Sequence, residues 1–306
     1  MPLVRAPLRI LTTALLAVPA LAACGDDGGS SADAGTDGAQ AIDAPTAGRS
    51  LDNCTTSIAA DVPDFYKRYF KCVTITTTAT GVAIQTEDLP PHTSAYYAST
   101  DPNYVPFDTR GGSYHKNPNT IAAQSITINV PSSPTPSGAT INATTVDGQA
   151  NTSQEEYALG PVGVALDSVA LFTGTAAPGD QIANERFTFD SYEGHPEDRG
   201  AYHHHGPTPG PLEALKKEGS TTSTVPGQAE VELYGILCDG TVVLGCTELD
   251  GSNPSGPLDA QGGHVGDIRA HDGTTYFTSR YHVHVCADSR GHTYTPEIHY
   301  YAACVR

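Results

Sequence analysis

Apolar and polar positions alternate along much of the chain with the two-residue period of half-buried strands, not the 3.6-residue period of helices. Cys72–Thr77 alternates through Val73 and Ile75, and Gln124–Val130 through Ile126, Ile128 and Val130. Gly163–Phe172 and Val231–Leu244 are longer apolar runs, each broken by a short turn, and Tyr281–Cys286 and Ile298–Ala302 continue the series. Valine, isoleucine, threonine and tyrosine dominate these runs, as a pleated surface favours. Two stretches read as helix: Pro211–Glu218, opened by proline and closed by Gly219, and Pro63–Phe70. The pattern predicts a mainly β fold, one domain with long loops and few short helices.

The first fifty residues do not fit that pattern. Arg5 and Arg9 precede an apolar run from Ile10 to Leu21, and Leu21-Ala22-Ala23-Cys24 follows. The run is too short for a permanent membrane span, and the small residues before cysteine suit signal cleavage. Residues 1–23 are therefore read as a lipoprotein signal peptide, with Cys24 as the diacylated anchor and sole contact with the lipid bilayer. Residues 24–50, rich in Gly, Ala, Ser and Asp, read as a disordered acidic tether. The folded domain is expected over 51–306, with N-terminal strands in 51–150. The expected location is the cell envelope, at the outer membrane or cell surface rather than the inner membrane.

Charge narrows the partners. The chain carries 16 basic and 34 acidic residues, a net charge of −18, and loss of the signal deepens the deficit. Nucleic acid is excluded as a partner, and cations are favoured. Beyond Cys24, six cysteines remain: Cys54, Cys72, Cys238, Cys246, Cys286 and Cys304. An even number in an exported chain predicts three disulfides, and the sequence-neighbour pairs Cys54–Cys72, Cys238–Cys246 and Cys286–Cys304 are expected.

Residues 155–306 contain a pseudo-repeat. Gly163–Leu171 and Gly235–Leu244 each read strand, Asp-Ser or Asp-Gly turn, strand, so Asp167 and Asp239 are expected to be turn residues. Downstream, Asp190–His195 and Asp259–His264 both read D-x-x-x-G-H, with the Gly-His placed on a loop. Each is followed by Tyr-His-x-His, at Tyr202–His205 and Tyr281–His284. In a strand His203 and His205 share one face, as do His282 and His284. His195, His203, His205, His264, His282 and His284 are thus expected to converge as metal ligands, with Asp190 and Asp259 close behind as further ligands or as acceptors that fix a tautomer.

These motifs resemble the YHYH domain proteins, named for the tetrapeptide. Gly160–Asp167, Pro178-Gly179-Asp180, Phe189–Pro196, Leu258–His264 and Leu89-Pro90-Pro91-His92 extend the resemblance from about residue 55 to the end. His204 and Val283 stand where the family has its second tyrosine, and Tyr192 stands where a cysteine is expected. The resemblance implies a β-rich YHYH-type fold and leaves activity open. The histidines suggest a transition-metal binder, with copper or zinc as the ion, whose affinity falls as pH drops through about 6.5. A metal-dependent hydrolase or oxidase, or a surface-interaction or carbohydrate-binding module with structural histidines, are the alternatives. There is no H-E-x-x-H and no G-x-S-x-G to name catalytic residues. His92, His115, His271, His292 and His299 lie in less patterned surroundings.

Overall fold

In the computed structural model, which describes residues 47–142, 160–176, 180–286, 293–296, 299–302 and 304, the alternating runs pair into two sheets. The smaller has β1 (Ser57–Ile58), β2 (Thr74–Thr77), β3 (Gly81–Thr86) and β4 (Ile126–Pro131) in that order. Its inward positions follow the predicted period: Ile75, Val82, Ile84, Ile128 and Val130 are buried. The signal segment, Cys24 and most of the tether lie outside the described residues.

The larger sheet carries the repeat. Its strands are β5 (Gly163–Ala165), β6 (Ala170–Leu171), β7 (Gly194–Pro196), β8 (Tyr202–His204), β9 (Leu233–Leu237), β10 (Val242–Leu244), β11 (Gly263–Arg269) and β12 (Thr275–His284). Their spatial order is β11-β12-β10-β9-β5-β6-β8-β7, which reads as one motif run outward twice from a central seam. At that seam β5 and β9 are antiparallel, with Gly163 opposite Leu237, Val164 opposite Ile236 and Ala165 opposite Gly235. The two glycines let the backbones close: a Cβ on Gly163 would sit 2.5 Å from the Ile236 carbonyl, and one on Gly235 2.2 Å from that of Val164.

Three helices complete the fold: α1 (Asp64–Tyr69), α2 (Ile182–Glu185) and α3 (Pro209–Glu218). Proline opens α3, and Gly219 ends it in the left-handed region at φ 96°. Leu212, Ala214 and Leu215 of α3 join Phe65, Tyr69, Val164, Leu233 and Ile236 in the core. The protein is mainly β with few short helices, as expected.

The structure departs from the reading of the sequence in four places. β3 and β11 were not signalled, since β3 offers only Val82 and Ile84 as strong apolar residues and β11 contains Gly263 and Gly266. β11 exists because its partner β12 is ten residues long and begins at Thr275, not at Tyr281. In place of a strand at Ile298–Ala302, the described residues there give one bridge, Tyr301 to Pro136. The disulfides are Cys54–Cys72, Cys238–Cys304 and Cys246–Cys286, so two of the three neighbour pairings are corrected. The reason is topological. β10 lies parallel to β12, so Cys246 and Cys286, just beyond their ends, meet with Cα atoms 5.0 Å apart. Cys238 sits at the opposite end of β10, beside the turn.

Candidate functional site

The histidines are set by two copies of one local arrangement. In the first, Asp190 opens a turn closed by the Gly194 carbonyl at 2.9 Å, with Glu193 at φ 53°. The chain then enters β7, which pairs with β8 so that His195 faces His203. In the second, Asp259 and Gly263 close the turn at 2.8 Å, with Gly262 at φ 73°, and His264 faces His282. Gly-His therefore lies on a strand in both copies, not on a loop. Tyr202 donates to Asp190 and Tyr281 to Asp259, each at 2.7 Å. A Cβ on Gly194 would strike the Tyr202 ring at 2.5 Å, and one on Gly263 the Tyr281 hydroxyl at 2.1 Å. Glycine at these positions is what lets each tyrosine reach its aspartate.

The structure divides the six histidines into two triads rather than gathering them into one site. Four strands separate β8 from β12, so the triads lie roughly 24 Å apart at about 4.8 Å per strand. Asp190 and Asp259 belong to neither. They cap their own turns, accepting from the Tyr192 and Gln261 amides, and hold the tyrosines.

In the first triad the Nε2 atoms of His195 and His203 are 3.1 Å apart and those of His203 and His205 3.0 Å. The Nδ1 atoms all point away. That of His203 donates to the Ala201 carbonyl and that of His205 to the Thr173 carbonyl. Thr188 gives its hydroxyl proton to the Glu185 carbonyl, so at 2.6 Å it accepts from His195 Nδ1 and sets the tautomer over the Asn117 amide nitrogen, which lies farther off at 3.4 Å. With every Nδ1 protonated, three Nε2 lone pairs face one another. Phe172 stacks on His203 at 3.8 Å and Phe189 on His205 at 5.5 Å, excluding water. Burial, with the neighbouring His205 and His204 adding to it, holds His195 well below the ordinary imidazole range. Burial likewise lowers His203 well below its usual value and brings His205 down to about 4. Glu185 Oε1 stands 3.5 Å from His195 Nε2, and its other oxygen has no partner.

The second triad is built alike but includes a carboxylate. His264 and His284 Nε2 are 3.2 Å apart, and Glu248 reaches His264 at 3.0 Å and His282 at 3.1 Å. His282 Nδ1 donates to the Arg280 carbonyl and His284 Nδ1 to that of Gly245. Burial pushes Glu248 up, but the three imidazoles prevail and hold it well below the usual carboxylate range. Glu248 was not anticipated. It follows Cys246 by two residues, and only the parallel pairing of β10 with β12 brings it to the histidines. In the first copy Ala176 occupies the corresponding position, and Glu185 of α2 stands in from another direction.

Four ligands at about 2.1 Å in a tetrahedron lie about 3.4 Å apart. The close separations, 3.0 to 3.6 Å, bracket that spacing, and all the ligand atoms of each group lie within 4.8 Å of one another. Each group could hold a transition-metal ion with little movement. Of the other histidines, His115 and His271 are exposed, His299 is buried away from both triads, and His292 lies outside the described residues. No described helix is long and apolar enough to cross a membrane.

Comparison with curated proteins gives no match, and neither does comparison with solved structures. A family model does match, over residues 116–261, and its description is YHYH protein. That segment runs from the loop before β4 through β5–β10 to the Asp259 turn, and contains the first triad with its tyrosine–aspartate clamp. Residues 116–261 are thus a YHYH protein domain.

Proposed function

We propose that the protein binds transition-metal ions at its two triads, copper or zinc being the ions the donors suit, and that it does so at the cell envelope, held to a lipid bilayer through Cys24. The observation that carries the metal reading is the set of Nε2 atoms at His195, His203 and His205. Their Nδ1 hydrogens are spent on carbonyl and hydroxyl oxygens, so the buried lone pairs converge with no donor among them. Such an arrangement costs free energy unless a cation or a proton sits between them. Imidazole nitrogen selects Zn and Cu over Ca and Mg.

The triads differ in what they leave open. Glu248 offers the second a fourth protein ligand, the closed set of a structural zinc site. The first has three, with Glu185 beside them, which is the donor count of a catalytic site. This is what favours a metal-dependent hydrolase or oxidase as the second reading.

Elemental analysis and calorimetry with Zn²⁺ and Cu²⁺ test the proposal. The unaltered protein is expected to hold an ion at each triad and to melt higher when loaded. The double variant His203→Ala/His205→Ala is expected to lose the first ion and keep the second. A folded protein that takes up neither ion at neutral pH would leave the triads as buried hydrogen-bond networks. Anchoring is tested separately: Cys24→Ser is expected to abolish incorporation of labelled palmitate, and continued labelling would overturn that assignment.

A further inference from the structure

On the opposite face of β8 from the first triad, His204 turns inward toward His92 and Asp167. We infer that these three residues form a third metal site, taking a divalent transition-metal ion on two imidazole nitrogens and one carboxylate. It is separate from both triads and does not rest on them.

The argument begins with unpartnered atoms. Ten buried side-chain nitrogen and oxygen atoms among the described residues have no hydrogen-bond partner, and four of them meet here: His92 Nε2, His204 Nε2 and both oxygens of Asp167. All three residues are buried, and their ligand atoms lie within 4.8 Å of one another. The tautomers are fixed from outside the cluster. His92 Nδ1 donates to the Thr93 carbonyl at 3.0 Å and His204 Nδ1 to that of Glu193 at 3.3 Å. Both Nε2 atoms are therefore acceptors, as is an ionised carboxylate. A single proton shared between Asp167 and one imidazole would still leave the other imidazole without a partner. One divalent ion satisfies all three groups.

The second copy of the repeat supplies an internal control. Asp239, the counterpart of Asp167, is an ordinary turn residue whose oxygens accept from the Thr241 amide at 2.8 Å and hydroxyl at 2.9 Å. In the first copy the residue two positions on is Val169, whose amide still faces the carboxylate but which has no hydroxyl to add. The same copy has His204 where the second has Val283. Both copies keep the aspartate, but only the first sets a histidine, His204, on the strand beside it.

The surroundings hold the three groups in place. His92 stacks face to face on Tyr192 at 3.7 Å and 3°, so its ring cannot turn aside. Gly210, in the first turn of α3, leaves room for the carboxylate, since a Cβ there would sit 2.0 Å from Asp167 Oδ2. The first turn of α3 supplies partial positive charge but makes no hydrogen bond to Asp167. The charged side chain acting most on Asp167 is another acid, Glu213, which a cation would offset. Two imidazoles and a carboxylate suit Zn²⁺, Fe²⁺ or Co²⁺ rather than Ca²⁺ or Mg²⁺. Ligands sharing an ion at about 2.1 Å lie roughly 3 to 4.2 Å apart, so closing the cluster requires shifts of under about 1 Å.

The test counts ions on the full-length protein in detergent, stripped with chelator and reloaded with Zn²⁺ alone, by native mass spectrometry and elemental analysis. Asp167→Asn is expected to hold one equivalent fewer than the unaltered protein. His203→Ala/His205→Ala should keep the equivalent that Asp167→Asn loses. His92→Phe preserves the stack on Tyr192 and gives the same reading should the asparagine variant fold poorly. Co²⁺ loading of the unaltered protein needs no variant: an absorption band of two-nitrogen, one-carboxylate character, beyond those of the triads, is expected. Equal Zn²⁺ content in the unaltered protein, Asp167→Asn and His92→Phe would overturn the proposal, as would a Co²⁺ spectrum with no such band, leaving a proton-sharing network in its place.

Discussion

Tyr202 and Tyr281 make the same 2.7 Å bond to an aspartate, but in different surroundings, so removing each hydroxyl should cost different amounts. Tyr202 is fully buried and Asp190 is 3% exposed, while Asp259 is half-buried. Asp190 keeps the Tyr192 amide and the Ser94 hydroxyl when Tyr202 becomes phenylalanine. The loss is therefore one charge-assisted bond in a dry site, about 2 kcal/mol. At Asp259 water replaces the hydroxyl, and the loss falls to about 1 kcal/mol. Burial raises Asp190 to about 6, against the bonds from Ser94 and Tyr202, so it is ionised at pH 7.5 and largely protonated at pH 5. The bond to the charged form is what Tyr202→Phe removes, so its cost should shrink toward about 1 kcal/mol at the lower pH. Denaturant unfolding of both variants with disulfides intact, at pH 7.5 and pH 5, measures this. A Tyr281→Phe cost equal to or above that of Tyr202→Phe, or a Tyr202→Phe cost that grows with acid, would refute the reasoning.

Three further outcomes are expected. Ser168→Gly should stabilise by about 1 kcal/mol in the same assay, because Ser168 sits at φ 80° with a buried, unpartnered hydroxyl and its counterpart is already Gly240. Opening Cys238–Cys304 by paired serine substitutions should cost about 4 kcal/mol and opening Cys54–Cys72 about 3, since the loops span 66 and 18 residues, read by calorimetry. Metal at the first triad should survive acid that releases it from isolated imidazoles. His205 stays neutral in the fold until about pH 4, so proton competition begins there rather than at 6.5, and equilibrium dialysis of a Glu248→Gln/His282→Ala variant from pH 7 to 4 follows it.

Much of this site was legible because alternation in a strand is a local rule. His203 with His205, and His282 with His284, are placed on common faces by spacing alone, and the D-x-x-x-G-H turns repeat in register. What could not be read is everything that depends on strand partners. Parallel pairing leaves no local signature, so Glu248 beside β12 and the Cys246–Cys286 bridge carry no sequence signal. The expected convergence of six histidines failed for the same reason. The two apolar hairpins pair with each other in the middle of the sheet and drive the histidine strands outward. Asp167 was read as a turn residue on the strength of its Asp-Ser dipeptide. The missing hydroxyl at Val169 is the signal that distinguishes it from Asp239.

The register at the β5–β9 seam is its own image under a half-turn centred on Val164 and Ile236. Gly163 faces the counterpart of Ala165, Ala165 faces the counterpart of Gly163, and each glycine receives the other strand's carbonyl. Self-complementarity of this kind is what an isologous dimer interface requires. The chain is thus, in effect, a homodimer written into a single polypeptide. Two identical subunits would be bound to change together, whereas two fused ones are free to differ. One half carries Glu248 and the Cys246–Cys286 bridge, the other sets His204 beside Asp167, while the seam that joins them is symmetric.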